Sequence, residues 1–110
     1  MTSAVTQNKI ATIEPKGYVS AANATQLEQQ LQRFVASKEH SVVLVNMEGV
    51  EFMDSAGLMV LVNALHQSKG VGLRFMLCSL NQSVRMIFEI TQLDRVFEIF
   101  DSRDLAEAII

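Results

Sequence analysis

The chain has 110 residues, 49% of them hydrophobic and 19% charged, with a net charge of -3. That is the size of one domain, with apolar material for a core of its own and without the composition of a disordered chain. The acidic balance, with no Lys/Arg cluster or aromatic ladder, excludes a protein that works by neutralising phosphates, so direct nucleic-acid binding is not expected.

The opening "MTSAVTQNKI" has neither a basic n-region nor an apolar h-region. No apolar run approaches the roughly 20 residues that span a bilayer. The expectation is a cytoplasmic protein with no membrane partner. The single cysteine, Cys78, and the two histidines, His40 and His66, give no metal-ligand spacing and no disulfide framework. Neither a metal nor a cofactor is expected. Cys78 ends the apolar run "LRFMLC" and reads as a buried or half-buried strand residue rather than a nucleophile.

Residues 1–8 are expected to be a flexible polar tail. "KIATIE" then alternates apolar and polar residues, and the Pro15-Lys16-Gly17 break leads into "YVS", a pattern that fits two short strands joined as a hairpin. From Asn23, the expected N-cap, Leu27, Leu31, Phe34 and Val35 recur at helical spacing. "SVVLVNM" is short, continuously apolar and β-branched, as a strand buried on both faces would be.

"EGVEFMD" carries a glycine and acids before "SAGLMVLVNALHQSK", where Leu58, Leu61, Val62 and Leu65 form the inward side of a second helix starting at or just after Ser55. Gly70 and Gly72 close it, and "LRFMLCS" returns as a strand. "NQSVRMIFEITQL" reads as a third helix, capped by Asn81, with Val84, Ile87, Phe88 and Thr91 on one face. The end supplies a short strand around Phe97 and Ile99 and a helix capped by Asp101 or Ser102, with Leu105, Ala108 and Ile109 turned inward. The sum is a small α/β fold of four to five strands and four helices.

The stretch "EFMDSAGLMVLV" carries the functional question. Asp54 and Ser55 are both residue types that cap helices, because a side-chain oxygen there accepts from an N–H of the first turn. Three features point further. Gly57 sits in the first turn, where glycine costs about 1 kcal/mol relative to alanine, so a neighbouring strand or a partner approaches closely there. "LMVLV" is apolar all round, which turns Met59 toward the surface; with Met53 it gives polarisable apolar area beside Ser55, although the methionines can equally be core filler. A phosphate on Ser55 would suit the helix N-terminus yet add negative charge beside Asp54, Glu51 and Glu48, changing what the surface binds without unfolding it.

"VNMEGVEFMDSAGLMVLVNAL" resembles the signature of the anti-sigma factor antagonists of the STAS domain family, named for sulfate transporters and these antagonists. "GYVSAANATQLEQQL" and "ITQLDRVFEIFDSRDLAEAI" resemble the family's first helix and its ending. The resemblance implies a single STAS-like domain over 9–110: an α/β fold with a mixed sheet of four to five strands and helices packed mainly on one face. It also implies that Ser55 is phosphorylated by a partner that is both serine protein kinase and anti-sigma factor. The unphosphorylated protein binds that partner, phosphorylation ends the binding, and a serine phosphatase of the metal-dependent type restores it. Asp54 would flank the acceptor, and Met53, Ala56, Gly57, Leu58 and Met59, with Ser20 and Asn23 from the preceding turn, would form the docking surface. Two positions depart from the family pattern: Ala56 replaces a second hydroxyl residue, and "GYVS" places Ser20 where an aspartate is usual.

The competing reading within the binding class is a phosphate-independent STAS scaffold or transporter-associated subunit, with Ser55 an ordinary cap. An enzyme using Ser55 and His66 is disfavoured, because "DSAG" is not a Gly-x-Ser-x-Gly elbow and His66 falls near the far end of the same helix, where it complements the C-terminus. No catalytic residue is assigned.

Overall fold

The structure is a computed structural model that describes residues 9–110; the tail expected over residues 1–8 lies outside the described residues. Its strands are β1 (Ile10–Ile13), β2 (Gly17–Val19), β3 (Val42–Asn46), β4 (Val50–Met53), β5 (Arg74–Cys78) and β6 (Glu98–Phe100). Its helices are α1 (Ala24–Ser37), α2 (Ser55–Gly70), α3 (Gln82–Ile90) and α4 (Arg103–Ala108). The main sheet has the order β1-β3-β5-β6, and β2 and β4 pair separately as a two-stranded sheet.

The apolar run of β3 is buried throughout and lies between β1 and β5, as its composition requires. Alternate residues divide the core between two faces. Val43 and Val45, with Ala11, Phe75 and Leu77, meet Leu27 and Leu31 of α1, Leu58, Leu61 and Leu65 of α2, and Val84 and Phe88 of α3. Val42, Leu44, Met76 and Cys78 face the other way, against Ala106 of α4. Three helices therefore cover one face and one short helix the other, as expected. The rings of Phe75 and Phe88 both pack on Phe97, with centroids 6.1 Å and 5.4 Å away.

The differences from expectation are local. The first two strands form no hairpin, and the pairings are parallel throughout the described strands rather than mixed: β1 pairs with β3, and β2 with β4. Gly17, with φ of 74°, lies in the left-handed region and turns the chain out of the main sheet, so its N–H donates to the Gly49 carbonyl. "VEFM", in the segment not singled out as a strand, is β4. Asn23 stands at the N-cap position of α1, but its side chain caps nothing in the helix. Thr91 is exposed and turns its hydroxyl back to the Ile87 carbonyl, ending α3. Ser102 rather than Asp101 caps α4, and Ala106 is its inward residue, while Leu105, Ala108 and Ile109 are exposed. A helix of 6 residues has room for one seat on the sheet, and the small side chain takes it.

Candidate functional site

The geometry of the site begins with the small sheet. β2 leads toward α1 and β4 leads into α2, and because Val19 pairs with Met53 the two chain exits emerge side by side. The Ser20–Asn23 turn thus lies against the first turn of α2, a neighbour relation between segments more than 30 residues apart in sequence.

Asp54 joins them. Its backbone is extended, and its Oδ1 accepts from the Gly57 N–H at 3.1 Å, the N-cap bond of α2. Its Oδ2 accepts from the Ala21 N–H at 3.2 Å, and its own N–H donates to the Val19 carbonyl at 3.1 Å. The Gly57 N–H above all, with help from Ala21, holds the Asp54 carboxyl below the ordinary carboxylate value. On the other side of the turn, Asn23 Oδ1 accepts from the Ser20 N–H and its Nδ2 donates to the Tyr18 carbonyl. Asn23 therefore shapes the turn instead of capping α1.

With Asp54 as the cap, Ser55 occupies the first helical position. It is exposed, and among the described residues its hydroxyl has no hydrogen-bond partner. The local backbone does not use it.

The residues expected around it separate into two groups. Met53, 1% exposed, and Leu58, 7% exposed, belong to the core: Leu58 lies inward as its helical spacing predicts, and neither side chain is open to the docking surface that the resemblance implies for it. Strand β4 ends by alternating Met53 inward, and Leu58 lies on the buried side of α2. Gly57 is buried as well: a Cβ there would stand 2.7 Å from the Val19 carbonyl oxygen, so its glycine answers to a neighbouring strand and not to a partner. Met59, Ser20, Asn23, Asp54 and Ala56 reach or partly reach solvent, and Met59 is 51% exposed one turn along the helix from Ser55.

Two apolar surface residues of the small sheet were not foreseen from the sequence. Tyr18 and Phe52, 62% and 43% exposed, are register partners across β2 and β4 with ring centroids 6.2 Å apart. Strands of three and four residues are too short for a face to be read from alternation. The exposed acids Glu48 and Glu51 lie upstream of Ser55. The site is therefore a hydroxyl with no hydrogen-bond partner among the described residues, at a helix N-terminus directly after a carboxylate, with exposed Met59 one turn along the helix and exposed Tyr18 and Phe52 on the strands that lead to it. Such an arrangement suits a protein contact that a phosphate would disturb.

Cys78 and His66, the first set aside as a nucleophile and the second as a base for Ser55, lie elsewhere. Cys78 is buried, and burial pushes its thiol up. His66 is exposed near the far end of α2, roughly 16 Å along the axis from Ser55 at the helical rise. Among the described residues no group of three His, Cys, Asp or Glu side chains is placed to hold a metal ion, and no helix is long and apolar enough to cross a membrane.

A parallel sheet with a small two-stranded extension feeding a serine-bearing helix defines a class, and comparison with known proteins gives it a name. The STAS domain family matches residues 1–106. BtrV of Bordetella bronchiseptica, named for anti-sigma factor antagonism, is 37% identical over 93 residues, covering 84% of this chain and 79% of its own. The crystal structure of a Thermotoga maritima protein, likewise named for anti-sigma factor antagonism, superposes with a TM-score of 0.85 at 26% identity, over 92% of this chain and 86% of the other. The antagonist SpoIIAA in its unphosphorylated form has a TM-score of 0.77 at 18% identity, over 93% and 88%, and its phosphorylated form has the same fold. The chain belongs to the STAS domain family, among its anti-sigma factor antagonists.

Proposed function

We propose that this protein is a phosphorylation-controlled binding switch. Unphosphorylated at Ser55, it binds an anti-sigma factor that is also a serine protein kinase, and so regulates transcription. Phosphate on Ser55 ends the complex, and a metal-dependent serine phosphatase restores it. The protein itself catalyses nothing; it acts within the cytoplasm as substrate and ligand of its partners.

One observation carries this reading: Asp54, not Ser55, caps α2, which leaves the serine exposed and, among the described residues, without a hydrogen-bond partner. A phosphate there would add about -1.5 to -2 charge at pH 7 next to a carboxylate already held in its ionised form. The fold can tolerate that group at a helix N-terminus, whereas a docked apolar surface with acidic neighbours cannot. SpoIIAA has been obtained both with and without phosphate, a precedent within the same fold. Tyr18, Phe52 and Met59 supply the apolar contact area, with the Ser20–Asn23 turn beside them.

The reading is tested by incubating the protein with ATP and extract of its source cell and mapping phosphate by mass spectrometry. Modification at Ser55 in the wild type, and none of the chain in Ser55→Ala, is the expected result; phosphate at another residue, or none anywhere, sinks it.

A further inference from the structure

The reading above makes Asp54 a neighbour of the acceptor; its hydrogen bonds give it a more specific task. Both carboxylate oxygens are committed, one to each side of the site: Oδ1 to Gly57 in α2 and Oδ2 to Ala21 in the turn after β2. Among the described residues, no other side-chain hydrogen bond joins that turn to the N-terminus of α2. The turn's remaining bonds are internal to its own segment, from Asn23 to Ser20 and Tyr18 and from Asn23 and Ala24 N–H groups to the Ser20 carbonyl. They fix its shape and, with the Val19–Met53 pairing and the Asp54 N–H bond to the Val19 carbonyl, the place where it begins; the Ala21 N–H further along is held to α2 by the Asp54 carboxylate.

We propose that Asp54 is a positioning residue for the Ser55 surface: its carboxylate holds the Ser20–Asn23 turn in place beside the first turn of α2, and it acts on a docking partner through that turn. This rests on the docking role of Ser55 and the turn. A partner that touches both segments meets one preorganised surface only while the bridge is intact; without it, binding must also order the turn. The chemistry requires two acceptor oxygens on one side chain. Asparagine matches the shape and caps a helix as well as aspartate, but it has a single acceptor oxygen and puts an N–H donor where the second should be.

Asp54→Asn is therefore the decisive variant, with Asp54→Ser, which also caps with one oxygen, as its check against an artefact of the amide. Amide hydrogen exchange is followed residue by residue in the full chain. In both variants the Ala21 N–H should exchange about tenfold faster or more, while the amides of β3 keep their wild-type protection. Wild-type protection of Ala21 in both variants overturns the proposal, and this arm needs no partner, so its outcome stands apart from whether Ser55 is ever phosphorylated. In the second arm the kinase that modifies Ser55 is assayed on each variant. A raised KM with unchanged kcat supports positioning; a KM equal to wild type despite a loosened turn overturns it.

Discussion

A side-chain carbon on Gly57 would stand 2.7 Å from the backbone oxygen of Val19 and 2.8 Å from its Cγ1. The helix that carries Ser55 can approach β2 only because residue 57 has no side chain. Backbone cannot retreat as the tip of a flexible side chain can, so Gly57→Ala should destabilise the protein by about 1–3 kcal/mol, despite alanine's better helix propensity. Thermal unfolding is the check, with a fall of several degrees expected for a domain of this size. An unchanged or raised midpoint would mean that the approach is looser than described.

The bond from Gly57 to Asp54 makes stability depend on acidity. The folded-state carboxyl lies below its ordinary value of 3.8, chiefly through the Gly57 N–H. Its contribution is therefore fully present above the unfolded-state value and is lost as pH falls through the folded-state value. The gap in unfolding midpoint between wild type and Asp54→Asn should hold steady from about pH 7 to about pH 5 and shrink below that. The Arg74–Glu98 pair, which also lowers a carboxyl, is present in both proteins and cancels from the difference. A gap that widens toward low pH would contradict the assignment.

Asn81 links α3 to β4. Its Oδ1 accepts from the Val84 N–H at 2.8 Å, and its Nδ2 donates to the Val50 carbonyl at 2.9 Å. Asn81→Ala removes the cap and leaves the buried-edge carbonyl of Val50 without that donor, a loss of about 1–3 kcal/mol by chemical denaturation. Asn81→Ser, which retains a cap but cannot reach the strand, should fall between the two.

Tyr18, Phe52 and Met59 contribute little to the core, since each is largely or half exposed. Truncating each to alanine should leave the unfolding midpoint within about a degree or two of wild type, and should weaken partner binding by about tenfold or more for the best-placed ring. Retained affinity in all three variants would move the docking surface elsewhere.

How far this was legible in the sequence follows from which forces are local. The continuous apolar run of β3 and the spacing of Leu58, Leu61 and Leu65 fixed a buried strand and a helix face, because burial patterns repeat with the period of the element. Asn81 as a cap was equally plain. What could not be read was pairing: "KIATIE" and "YVS" are neighbours in sequence but part company at Gly17, whose N–H finds a partner at Gly49, far along the chain. The same blindness placed Met53 outside and left Tyr18 and Phe52 unnoticed, since the small sheet that sorts them exists only once β2 meets β4. For the site, the motif around Ser55 offered two possible caps. Only the geometry shows that Asp54 takes the role and that its second oxygen reaches the turn at Ala21.

The central claim is that the charge state of residue 55 decides partner binding, and it is tested most directly by immobilising wild type, Ser55→Ala and Ser55→Asp and passing extract of the source cell over each. The account predicts that wild type and Ser55→Ala retain a histidine-kinase-like ATPase and that Ser55→Asp does not. Equal retention by all three, or retention of no such kinase by any, would contradict it and favour a phosphate-independent scaffold.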